Sequence, residues 1–167
     1  MKRRGTLTVV LLAGVAALVA VFASTGSAQQ PVSQTLTFVE RDNQGTFHFV
    51  DVRPKSTRRG EPSVSPGDSF YGTSPLYDAA NKRRQGKLFF KCTAVTRSKR
   101  FGGSTFLCDA TFRLSNGTLV VSATFKGNKP PAGPVIGGTG AYEGASGGFS
   151  SVDRRRTTVD TLHFDTD

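Results

Sequence analysis

The run Pro134-Val135-Ile136-Gly137-Gly138-Thr139-Gly140-Ala141-Tyr142-Glu143-Gly144-Ala145-Ser146-Gly147-Gly148-Phe149 decides how the rest of the chain is read. Glycine this dense suits neither a helix nor a regular strand, but it permits positive φ and lets a second segment approach closely. Ile136, Tyr142, Ala145 and Phe149 are apolar anchors that a solvated linker would not need. The run is therefore expected to make a tight crossing into the last strands of a β structure. Two enzyme motifs overlap it, and neither has its required context. Gly138, Gly140 and Gly144 are spaced one residue too long for a dinucleotide fingerprint, and no amphipathic helix follows to meet a phosphate. Gly144-Ala145-Ser146-Gly147-Gly148 fits G-x-S-x-G, but a strand-like tail follows where a nucleophile elbow needs a helix.

The amino terminus has the order of a secretory leader. Lys2, Arg3 and Arg4 precede an apolar run from Leu7 to Ala23, and small residues lead to Ser27-Ala28. Residues 1–28 are read as a signal peptide cleaved before Gln29, by a general or a twin-arginine route. The mature chain, residues 29–167, is expected to be one secreted, extracellular domain. It is long enough to bury a single core. Cleavage removes three basic residues and lowers the formal charge from +10 to +7. The remaining basic residues gather in clusters at Lys55/Arg58/Arg59, Lys82/Arg83/Arg84, Lys99/Arg100 and Arg154/Arg155/Arg156. No basic-aromatic module accompanies them, so they are read as solvated turn charge and no nucleic acid is expected as partner. A peripheral contact with an anionic cell envelope stays open.

The middle of the chain alternates with period two. Phe90, Cys92 and Ala94 share one face of a strand and Lys87 and Lys91 the other; after a turn, Phe106, Cys108, Ala110, Phe112 and Leu114 repeat the pattern. Asn116-Gly117 predicts a type I′ hairpin, with Ser115 opposite Thr118, Leu114 opposite Leu119 and Phe112 opposite Val121. The same residues spell a glycosylation sequon with Thr118, which the turn explains without a glycan. No segment of the mature chain has a sustained helical stripe. Thirteen phenylalanines and no tryptophan suit a small barrel with an aromatic interior.

Cys92 and Cys108 are equidistant from a turn centred at Arg100, so they lie directly opposite on one face. Export favours their oxidation to a disulfide closing a short loop, the alternative being a reactive thiol. There is no C-x-x-C, no H-E-x-x-H and no histidine pair at ligand spacing, so no metal and no cofactor are expected. His48 and His163 stand singly on strand-like segments and are read as surface or hydrogen-bonded residues.

In order along the chain stand Pro66-Gly67-Asp68-Ser69-Phe70, Pro75-Leu76-Tyr77-Asp78, Gly86 with Cys92, the Asn116-Gly117 turn and the glycine run. This order resembles the allene oxide cyclase barrel family, with the dirigent proteins as the next nearest group, over about residues 36–164. The resemblance implies an all-β fold, an eight-stranded antiparallel β-barrel with an apolar cavity, commonly assembled as a homotrimer. Superposing the family's Glu-Arg-Asp on Glu40-Arg41-Asp42 puts its catalytic glutamate at Thr37 and a nearby asparagine at Val39. Another asparagine falls at Ser74 and a cavity tyrosine at Phe125, while the cavity cysteine is matched by Cys92. By this alignment Thr37, Val39, Ser74, Cys92 and Phe125 line the cavity, and no catalytic residue is assigned because the glutamate is not matched.

Two functions stand on this reading. One is a secreted isomerase or cyclase that orients a small hydrophobic molecule, fatty-acid-derived or polyketide-like. The other is a non-catalytic hydrophobic-ligand carrier or envelope-binding protein using the same cavity. A buried titratable pair near the barrel mouth, such as Glu40 or Asp68 beside His48, favours the enzyme. A dry phenylalanine-lined cavity crossed by a disulfide favours the carrier.

Overall fold

The computed structural model describes residues 32–52, 55 and 63–166; the leader and the Arg58/Arg59 cluster lie outside them. Nine strand segments follow in chain order: β1 (Val32–Arg41), β2 (Thr46–Val50), β3 (Ser69–Asp78), β4 (Arg84–Ala94), β5 (Thr105–Leu114), β6 (Gly117–Lys126), β7 (Ala132–Gly140), β8 (Ser146–Arg154) and β9 (Thr157–Thr166). Each pairs antiparallel with its sequence neighbour from β2 to β9, and β1 pairs with both β9 and β3, which closes the sheet into a barrel. β1 and β2 lie along successive parts of β3 and act as one interrupted stave, so the barrel has eight staves.

The closing seam between β1 and β3 is short. It consists of Phe38 opposite Asp78, Val39 opposite Tyr77 and Glu40 opposite Leu76, after which the chain turns away and returns as β2. Arg41 ties the seam from outside. Its guanidinium sits 3.8 Å from the centre of the Tyr77 ring, while Nε donates to Asn81 Oδ1 at 2.8 Å and Nη2 to the Asn81 carbonyl at 2.7 Å. Tyr77 in turn donates its hydroxyl to Gln44 Oε1 at 2.6 Å, across the interruption.

Alternation fills the interior with two apolar clusters. Leu76, Phe112, Leu119 and Leu162, all with no exposed surface, centre the larger one. The smaller gathers Val64, Phe70, Cys92, Ala94, Phe106 and Cys108, with the Phe106 ring 4.7 Å from Phe101 and 5.2 Å from Phe70. Cys92 and Cys108 form a directly opposed disulfide-bonded rung. Asp68 is fully buried but serves the backbone: its two carboxylate oxygens accept from the amides of Val52 at 2.8 Å and Ser65 at 2.7 Å.

The glycine run is the β7–β8 hairpin and its flanks. Tyr142, Ala145 and Phe149 are buried as anchors, whereas Ile136 points outward and is exposed. A side chain at Gly138 would strike the carbonyls of Thr118 and Tyr142, and Gly140, at φ 65°, starts the turn. The β5–β6 register differs from the sequence expectation by two residues. Leu114 faces Gly117 and Phe112 faces Leu119, so Ser115 and Asn116 form the turn and Gly117 already belongs to the strand. The reason is tertiary: a side chain at Gly117 would meet the Thr139 carbonyl, and the Asn116 side chain accepts the Tyr142 hydroxyl at 2.8 Å. Because the slip is an even number of residues, every side chain keeps its face.

Two measurements test this packing. Phe112→Ala should lower unfolding free energy by about 3–5 kcal/mol in urea titration, since it empties the centre of the larger cluster. Thiol titration of unfolded, unreduced protein should find no free cysteine, and reduction should cost on the order of 3 kcal/mol of stability; two free thiols would disprove the bridge.

Candidate functional site

A cavity of about 170 Å³ lies between the two clusters. Its walls differ in chemistry by stave. β3 to β6 contribute apolar side chains, including Phe70, Phe90, Phe112 and Phe125, together with the Cys92–Cys108 bridge. Every polar lining residue comes from β1, β8 or β9: Glu40, Ser151, Asp153, Thr158 and Asp160.

Register explains why these five meet. On one rung Phe38, Asp160 and Ser151 stand side by side across β1, β9 and β8; two residues along, Glu40, Thr158 and Asp153 form the next rung. Residues two apart on a strand share a face, so both rungs point inward together. Asp160 is 1% exposed and receives a very short hydrogen bond from Ser151 Oγ on its Oδ1. Its Oδ2 is fully buried and accepts from no N–H or hydroxyl among the described residues, while the Asp160 carboxyl shares a side-chain hydrogen bond with Glu40. The Thr158 hydroxyl donates to Asp153 Oδ1 at 3.3 Å, on the more exposed rung.

Burial raises the Asp160 pKa well above the ordinary carboxylate value, and the negative charge of Glu40 beside it adds to the rise. Burial also raises Glu40, opposed by its contacts with Asp160 and with the Ser74 hydroxyl, which favour the ionised form. The pair thus ionises in two steps, with Glu40 giving up its proton first and Asp160 holding one to higher pH. A carboxylate and a carboxylic acid side by side can accept a proton at one atom and deliver one at another. This is the arrangement general acid–base chemistry needs.

The residues expected to line the cavity are dispersed differently. Cys92 and Phe125 are on its wall. Ser74 is buried on β3 and reaches Glu40. Thr37 and Val39 occupy the alternate face of β1 from Phe38 and Glu40 and are not among the lining residues. Superposing Glu-Arg-Asp therefore sets the strand one residue out of phase with the cavity, and the carboxylate that faces inward is Glu40 itself. His48 does not join it: the ring stacks on Tyr71, 5.1 Å between centres, outside the barrel. His163 Nδ1 lies 2.7 Å from the Thr35 hydroxyl in an exposed position. Sequence reasoning misses Asp160, although it continues the alternation that buries Leu162 and Phe164.

No family model matches the chain, and no curated protein matches it in sequence. Solved structures do match in shape. A chain described as pyocyanin demethylase superposes with a TM-score of 0.58 at 19% identity, over 80% of this chain and 99% of that one. The pterocarpan synthase dirigent protein PsPTS1 gives 0.57 at 17% identity, over 80% and 94%. The Diels–Alderase AbmU from Streptomyces koyangensis gives 0.59 at 12%, over 84% and 71%. The chain has the fold of the dirigent and Diels–Alderase barrels. At these identities the likeness speaks to fold alone, and the chemistry must be argued from the cavity.

The paired carboxyls make a pH signature. Both favour their protonated form in the folded protein, so their contribution to stability is intact below the ordinary carboxylate range and is lost as pH rises through the raised values. Asp160→Asn removes the more strongly raised member. Its stability relative to wild type should climb as pH rises from the ordinary carboxylate range through the raised Asp160 value, by about 1.4 kcal/mol for each pH unit that Asp160 lies above a free carboxyl. Thermal unfolding at each pH reads this, and a difference that stays flat would show that Asp160 is not perturbed.

Proposed function

We propose that this protein is a secreted allene oxide cyclase-like, dirigent-like barrel that acts as an isomerase or cyclase on a small, largely apolar molecule held in the cavity. The observation that carries the reading is the Glu40–Asp160 pair, two adjacent carboxyls on the one polar wall of a chamber whose β3 to β6 walls are apolar. The apolar staves shape a flexible substrate into a reactive conformer and exclude water, which lowers the barrier by orientation. Glu40, ionised first, takes a proton from the substrate; Asp160 gives one to a second substrate atom, its geometry fixed by Ser151. The two transfers balance, so the net change is an isomerisation or ring closure that consumes no other reactant. The ring-forming activities named for several structural neighbours, a [4 + 2] cyclase and two Diels–Alderases among them, support this class of reaction.

A second reading, a carrier without catalysis, is favoured by the phenylalanine walls and the bridge across them. Protein purified from its own secretion medium separates the two. Native mass spectrometry should show a bound small molecule, together with the oligomeric state, expected to be a trimer, and a chain beginning at Gln29. Glu40→Gln and Asp160→Asn should each lower kcat on that molecule by about 10²–10⁴-fold. Ala110→Trp, which fills the cavity, should abolish binding. If the molecule is returned unchanged by wild type and both carboxyl variants bind it equally, the protein is a carrier.

A further inference from the structure

The cavity has a charge preference that the apolar-ligand reading leaves unused. Three of its lining residues are acidic, Glu40, Asp153 and Asp160, and none is Lys, Arg or His. Five are phenylalanines, at positions 70, 90, 112, 125 and 149. The Asp160 Oδ2 atom is fully buried at this wall and meets no donor group among the described residues; its neighbour is the Glu40 carboxyl, and two carboxyls so close repel unless a proton or a cation lies between them. Aromatic faces attract a positive charge, and carboxylates pair with one. An anion entering the same chamber would meet only acidic and hydroxyl side chains on its polar wall. We propose that the ligand is an organic cation, an apolar ring or chain bearing one positively charged nitrogen that seats against Glu40 and Asp160.

The proposal rests on the cavity being a small-molecule site and specifies what that site selects. The groups facing the pair are few. β1 supplies Glu40 itself, with Asp42 beyond the strand end and Arg41 turned outward over Tyr77. β8 supplies Ser151 and Asp153, β9 supplies Thr158, and β3 supplies Ser74. β4 to β6 present no charged group to the cavity. Arg154, Arg155 and Arg156 follow Asp153 but are solvent-exposed and outside the lining, where salt screens them over about 8 Å. Lowering the pH protonates Glu40 and removes the charge the cation needs, so its affinity should fall on acidification while that of a neutral isostere stays level.

Three bicyclic probes of matched size read this directly by calorimetry or fluorescence: N-methylquinolinium, methylnaphthalene and naphthoate. The cation should bind wild type about tenfold or more tighter than the neutral probe at about pH 8, lose that advantage as acidification carries the pH below the raised Glu40 value, and exceed naphthoate by a wider margin. Glu40→Gln should erase the preference, Asp160→Asn, which leaves the Glu40 charge in place, should weaken it less, and unchanged far-UV circular dichroism would show that both barrels are folded. If methylnaphthalene or naphthoate binds as well as the cation, or if the preference survives both substitutions, the cation assignment is wrong and the cavity reading stands. If no probe binds wild type, and Ala110→Trp changes nothing, the cavity reading fails together with it.

Discussion

Closure at the three-rung seam between β1 and β3 is the constraint on which the site depends. The stave breaks after Arg41, so Glu40, opposite Leu76, is the last residue of the seam, and its side chain reaches the Ser74 hydroxyl on β3. The break is stabilised from outside by Arg41, held between the Tyr77 ring and Asn81. Asn81 itself, at φ 54°, adopts the left-handed conformation that asparagine tolerates better than most residues. The outer face of the seam therefore secures the geometry that the inner face uses.

The chamber combines two kinds of surface that rarely share so small a space. Burying Glu40 and Asp160 among phenylalanines opposes folding, because each carboxylate loses water and gains a like-charged neighbour. That cost is tolerable only where the surrounding frame is stable without the pair. Here the frame is the run of long hairpins from β3 to β6, clasped by the Cys92–Cys108 rung and by aromatic contacts on both sides of the cavity. The separation within the cavity is by stave: β3 to β6 line it with apolar side chains and the disulfide, and its polar side chains come from β1, β8 and β9.

Much of the fold is legible in the sequence because period two is hard to disguise. Alternation through Phe90, Cys92 and Ala94, and again from Phe106 to Leu114, is enough to place both cysteines and the aromatic wall on one face. The β5–β6 turn is harder to place, since Asn116-Gly117 is a strong turn signal and nothing local reveals that Gly117 must pass close to Thr139. That contact joins segments more than twenty residues apart. Ile136 escapes for a similar reason, because apolar residues within a glycine run do not announce which face they take.

The candidate site is half legible, and the missing half has a physical cause. Aligning Glu-Arg-Asp by residue type directs attention to Thr37 and Val39, and thus to an absent carboxylate. Alternation alone serves better: Leu36 and Phe38 are apolar at even positions, and Glu40 continues them. On β9, Leu162 and Phe164 mark the inward face that Asp160 extends. An acidic residue that keeps step with a buried stripe, at the point where the stripe runs out, is one the chain has carried inside at a cost. Two such residues on neighbouring antiparallel strands are brought together by register and by nothing else, so their partnership becomes visible only once β1 and β9 are paired.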